Sequence, residues 1–146
     1  MAKMTEERVR EAFAPLLQEG ETLTHFALGV KQPPIVLIVL LIMLAILPGV
    51  IATALLTKNY CIGLTDRRLI VLQIASLANL KMKSVTEYSL EELRGMQVSS
   101  TTGSLFTHIA IESADRPFKA KFHRALAPFN RPNAMAIGDA VTAKAA

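Results

Sequence analysis

Asn59-Tyr60-Cys61-Ile62-Gly63-Leu64-Thr65-Asp66-Arg67-Arg68-Leu69-Ile70-Val71-Leu72-Gln73 reads as a β-hairpin. Residues 60–64 and 69–73 are apolar runs of strand length, and Thr65-Asp66-Arg67-Arg68 is a polar turn between them. Asp66 suits an Asx-type cap that accepts backbone N–H groups in the turn. Arg67 or Arg68 is placed to meet a carboxylate such as Glu87. Leu69 and Val71, two apart, face one side of their strand, the core side.

Immediately upstream lies the most unusual segment. Residues 32–57 carry no charge over 26 positions, and fifteen of the 22 residues from 35 to 56 are Leu, Ile or Val. No helical period leaves a polar face, which excludes a helix lying on a surface. A single helix of this length would reach about 33 Å, against a hydrocarbon core of about 30 Å. The segment therefore reads as membrane-inserting, with Ile35, Leu40, Leu44, Pro48, Gly49 and Leu55 marking its course. Pro33-Pro34 suit a helix start. Pro48-Gly49 are either a kink in one span or the tip of a re-entrant hairpin.

Further upstream, residues 4–18 read as an amphipathic helix. Thr5 is its N-cap, Glu6 and Glu7 complement its dipole, and Val9, Ala12, Phe13, Leu16 and Leu17 form its apolar face. Pro15 weakens the last turn and Gly20 ends it. Residues 21–31 read as a strand. Downstream of the hairpin, strands are expected at 84–88, 96–100, 105–112 and 117–122. Ser89-Leu90-Glu91-Glu92 is a capping box that opens a short helix stopping at Gly95. After Pro128 and Pro132, residues 133–144 read as a helix with Ala134, Ile137, Ala140 and Val141 inward. The domain organisation follows: 1–20 an amphipathic helix, 21–31 with 58–124 a small β-barrel, 32–57 the membrane-inserting segment, and 125–146 a C-terminal helix and tail. The fold class is mainly β (α+β), a small bent sheet or partly open barrel closed by a helix.

The chemistry-bearing residues are sparse. Cys61 is the one cysteine and sits inside a strand, as a small buried hydrophobe. His25, His108 and His123 lack metal-ligand spacing. No Gly-rich phosphate loop and no nucleophile–His–Asp order is present, and Glu91 and Glu92 point apart on a helix. No catalytic, cofactor or metal residues are assigned. The net charge of +4 is uneven. Residues 1–31 carry four Lys/Arg against five Asp/Glu, and residues 58–146 carry twelve against seven. This excess suits an anionic membrane surface and is too dispersed for nucleic acid. Its one cluster is Lys119, Lys121 and His123, which share a strand face while Phe118 and Phe122 take the other. Lys58 beside the apolar run, and Lys81 with Lys83, are candidates to extend it as a set of anionic-lipid contacts.

Taken in order, Gly20-Glu21-x-Leu23, the Gly63–Ile70 stretch quoted above, and Tyr88-Ser89-Leu90-Glu91-Glu92-Leu93 resemble the bacterial pleckstrin-homology-like domains, over about residues 19–122 apart from the insert. The resemblance implies a bent barrel of about seven strands capped by a C-terminal helix. It also implies a binding or scaffolding module, often tied to membranes, without established catalysis. The apolar insert between the first two strands departs from the family pattern. In that fold the first two strands are neighbours, so both ends of the insert lie on one side of the bilayer. This favours a re-entrant hairpin turning at Pro48-Gly49 over a single span. The expected protein is a membrane-anchored, non-catalytic interaction module at the bacterial inner (cytoplasmic) membrane, its barrel on the cytoplasmic side. Its expected partners are membrane lipid and another membrane protein or a second copy, with no nucleic acid. The alternatives are an accessory subunit of a larger membrane complex, or an anionic-lipid sensor acting through the basic strand.

Overall fold

A computed structural model of the chain describes residues 5–31, 35–75 and 80–145. Met4, Pro33-Pro34 and the middle of the 75–81 loop lie outside the described residues. The seven strands are β1 (Leu23–Lys31), β2 (Lys58–Thr65), β3 (Arg68–Ile74), β4 (Met82–Ser89), β5 (Gln97–Thr102), β6 (Phe106–Glu112) and β7 (Phe118–His123). The helices are α1 (Glu6–Phe13), α2 (Ile35–Leu44), α3 (Ile46–Leu56) and α4 (Asn130–Ala145). All strand pairs are antiparallel, in the order β4-β3-β2-β1-β7-β6-β5. β1 meets β7 only at Val30↔Lys121, so one four-stranded and one three-stranded layer join at a corner and then splay.

Two cores fill the molecule because β1–β3 are covered on both faces. Inside the bend, Ala27, Ile62, Leu69, Val71 and Phe122 pack with Ala134, Ile137 and Val141 of α4. On the outer side, Phe26, Leu28, Cys61, Ile70 and Leu72 pack with Val9 and Phe13 of α1 and with Phe129. This explains the unbroken apolar run Leu69–Leu72: a strand buried on both faces cannot alternate. β6, with one face open to solvent, does alternate.

Several boundaries differ from the sequence expectation. Thr5 caps α1 by accepting the Arg8 N–H at 3.3 Å, but the α-helix stops at Phe13, and Ala14–Leu16, with Pro15, form a 3₁₀ turn. The segment after Ser89 is a hydrogen-bonded turn, not a helix. The Ser89 hydroxyl accepts the Glu92 N–H at 3.0 Å, and Gly95, at φ +85°, reverses the chain before a second turn can form. α4 starts three residues earlier than expected, at Asn130. Pro132 lies in its first turn, where a missing N–H costs nothing, instead of breaking the segment.

The insert is a helical hairpin. Lys31 and Lys58 are register partners, so both ends of the segment leave the sheet side by side. A single span with its ends on opposite sides is therefore incompatible with this fold. The turn falls at Ala45 and not at Pro48-Gly49. A proline ring collides with the carbonyl four residues before it, and α2 ends at Leu44, four before Pro48. Pro48 then sits in the first turn of α3. Gly49 has a different role: a Cβ there would lie 2.3 Å from the Leu41 carbonyl oxygen, so its bare backbone lets the two helices touch.

Candidate functional site: the apolar hairpin and the basic strand face at its root

The Thr65–Arg68 turn carries the most specific part of the family resemblance, and its side chains build structure. Arg68 forks onto Glu21, with Nε donating to Oε2 at 2.9 Å and Nη2 to Oε1 at 2.8 Å. It also donates to the Leu16 carbonyl at 2.6 Å and pairs with Glu87. The Glu21 side chain is fully buried and accepts further bonds from the Gln18 N–H and the Thr65 hydroxyl. Four bonds and a facing guanidinium satisfy the carboxylate, and the Arg68 bond chiefly holds its pKa down at about 2. Thr65, rather than Asp66, caps the turn, accepting the N–H groups of Arg67 and Arg68. Asp66 instead accepts the Thr22 N–H at 3.0 Å across the β1 side. The network ties the α1–β1 connection to β2, β3 and β4 and leaves little capacity for a ligand. Cys61 is buried in the outer core, and burial pushes its thiol pKa up, which makes it unreactive at neutral pH.

The surface is otherwise dominated by the hairpin. Among the described residues, thirteen of the seventeen exposed large hydrophobic side chains belong to α2 and α3, including Ile35, Leu40, Leu44 and Leu55. Leu44 and Leu55 are 83% and 81% exposed. An apolar patch on this scale marks a place meant to be covered. The threonine hydroxyls of the hairpin are paired internally. The Thr53 hydroxyl donates to the Gly49 carbonyl at 2.9 Å and the Thr57 hydroxyl to the Thr53 carbonyl at 2.8 Å. At the tip the Ala45 N–H reaches Leu41 and the Gly49 N–H reaches Ala45. Pro48 removes one first-turn donor altogether. No helix among the described residues is long and apolar enough to cross a membrane. At ten and eleven residues, α2 and α3 each span about 15 Å.

The hairpin leaves the barrel beside the outer face of β6 and β7. His108 pairs with Lys121 across these strands, and Ala110 with Lys119. A groove of about 310 Å³ lies there, with Lys31, Lys119, Lys121 and His108 on one wall and Ile35 and Ile38 of α2 on the other. The Lys121 ammonium lies 4.8 Å from the Phe106 ring centroid. Of the candidate lipid contacts named from sequence, Lys119 and Lys121 line this groove. Lys58 lies at the hairpin root opposite Lys31. His123 does not line the groove: its ring stands edge-on to the same Phe106 ring at 4.8 Å, and its Nδ1 accepts the Ala125 N–H. Lys83 is on β4, separated from β7 by β3, β2 and β1. Lys31 and His108 were missed because only the β1–β7 and β6–β7 registers bring them to Lys119. Among the described residues no His/Cys/Asp/Glu group could hold a metal ion.

A four-strand meander, a three-strand meander and a C-terminal helix packed across the bend define a pleckstrin-homology-like fold. No protein-family model matches the chain, and no curated protein matches it. Solved structures similar to it include the following two. The hSac2 domain from human phosphoinositide phosphatase Sac2 is 9% identical, with 94% of this chain and 79% of that chain covered and a TM-score of 0.49. A pleckstrin homology domain from Shewanella amazonensis SB2B is 13% identical, with 94% and 96% covered and a TM-score of 0.42. The fold class rests on strand order and the capping helix, and these likenesses carry no function to this chain.

Proposed function

We propose that this protein is a membrane-associated, non-catalytic interaction module. The α2–α3 hairpin dips into one leaflet and holds the barrel at the surface, where the barrel meets a partner protein. The observation that carries this reading is the cluster of exposed apolar side chains on a hairpin rooted at both ends in the barrel. Its reach of about 15 Å is half of a hydrocarbon core of about 30 Å. Its internally paired hydroxyls and tip amides lower the cost of placing backbone in lipid. Lys31 and Lys58 at the root stand where anionic headgroups would be. The proposed location is the inner (cytoplasmic) membrane of a bacterium, with the barrel on the cytoplasmic face.

The register of Lys31 and Lys58 provides the test. Replacing residues 32–57 with Asn-Gly joins the two strands through a two-residue turn and leaves the barrel whole. The full chain should float with protein-free vesicles after a high-salt wash, and the replaced chain should not. A full chain that ignores vesicles yet stays with native membranes would transfer the hairpin to a protein contact. The accessory subunit of a larger membrane complex would then be the better reading.

A further inference from the structure

We propose that the groove at the hairpin root holds the phosphate of an anionic phospholipid headgroup, with an acyl chain of the same lipid lying along Ile35 and Ile38. The inference rests on the hairpin entering the bilayer. Its own support is the two-sided chemistry of the groove. One wall presents the cations Lys31, Lys119 and Lys121 together with His108, and the facing wall presents two isoleucines. A free anion uses only the first wall, and a neutral acyl chain only the second. A phosphate ester on a lipid uses both.

The depth agrees. Lys31 is the last residue of β1, and α2 begins at Ile35, so the groove lies where the chain passes from barrel to apolar hairpin. In an inserted molecule that is the headgroup level. Among the described residues neither Lys31 nor Lys119 is in ion-pair contact with a carboxylate, whereas Arg68 and Arg116 both are. Glu112 stands in the adjoining groove of about 630 Å³, which shares Lys31, His108 and Lys119. Lys31 and Lys119 are thus not tied up by a carboxylate, unlike Arg68 of the Thr65–Arg68 turn.

The test compares the full chain on vesicles of neutral phosphatidylcholine and on vesicles that also contain phosphatidylglycerol. The proposal expects tighter partitioning on the anionic vesicles. Lys31→Ala with Lys119→Ala should reduce this gain by roughly thirtyfold, at about fivefold per lysine near the surface, and leave partitioning on neutral vesicles unchanged. Lys83→Ala with Lys144→Ala removes the same charge away from the groove and should cost far less. Equal losses in the two double variants would overturn the groove in favour of diffuse attraction. Loss of binding to neutral vesicles by the wild-type chain would instead overturn the hairpin reading. Inorganic phosphate separates the two sources of the anion. Weak, unsaturated shifts of the His108 and Lys119 resonances in neutral detergent support a lipid. Saturable phosphate binding that Ile38→Ser does not alter would replace the lipid with a free anion.

Discussion

Asn130 holds Leu28 by both of its backbone groups. The Asn130 Oδ1 accepts the Leu28 N–H at 2.7 Å, and its Nδ2 donates to the Leu28 carbonyl at 2.9 Å and to the His123 carbonyl at 2.9 Å. This happens just where β1 parts from β7, so a side-chain amide replaces the missing strand. Asn133 repeats the device by donating to the Phe26 carbonyl at 3.0 Å. The first turn of α4 therefore closes the corner of the barrel with hydrogen bonds as well as with apolar contacts. Asn130→Ala should destabilise the protein by about 3 kcal/mol, since it leaves the Leu28 N–H and carbonyl and the His123 carbonyl short of a partner in a buried place. Urea unfolding of the full chain in neutral detergent measures this. Asn130→Asp should cost at least as much, because a carboxylate cannot donate to either carbonyl.

Glu21 makes stability depend on acid. Its folded pKa of about 2 lies below the ordinary glutamate value of 4.5, so its contribution is complete above pH 4.5 and disappears as pH falls toward 2. Glu21→Gln leaves Arg68 buried without its main counter-charge and should cost about 3–5 kcal/mol at pH 7. The gap between wild type and variant should close on acidification through this window. A gap that stays constant from pH 6 to about pH 2.5 would show that Glu21 is not held ionised as the geometry requires.

Gly49 keeps the two helices of the insert together. Gly49→Val places methyl groups where the Leu41 carbonyl already stands and should splay α2 from α3. Spin labels at Ile35 and Leu55 should report a short, narrow distance in the wild-type chain and a longer, broader one in the variant. The urea midpoint of the barrel should not move, because among the described residues neither barrel core takes a side chain from the hairpin helices.

Tyr88 joins the free edge of the four-stranded layer to the β6–β7 turn. Its ring is fully buried, its hydroxyl donates to the Arg116 carbonyl, and the Arg116 guanidinium lies 5.1 Å from its ring centroid while pairing with Glu92. Tyr88→Phe should cost about 1 kcal/mol and raise amide exchange in β4 more than in β1 or β2. Equal exchange increases in all strands would mean that the contact supports the whole fold and not this edge.

The sequence by itself determined the elements whose cause is local. The alternation and apolar runs placed all seven strands to within a few residues, and Thr65-Asp66-Arg67-Arg68 marked the turn between β2 and β3 because a polar break between two apolar runs has few other uses. The uncharged stretch after Lys31 marked an apolar insert between two strands, and the antiparallel neighbours expected on either side made a return path the better geometry. The tertiary structure alone decided the rest. The turn at Ala45 follows from what Pro48 does to a carbonyl four residues earlier, and from how closely Gly49 lets two backbones approach. Glu21 as the partner of Arg68, Asn130 as a substitute strand, and the meeting of Lys31, His108 and Lys119 with Ile35 and Ile38 all join residues far apart in sequence. Period and composition report which face a residue takes within its own element. Register between elements depends on packing summed over the whole molecule, and only the folded chain fixes it.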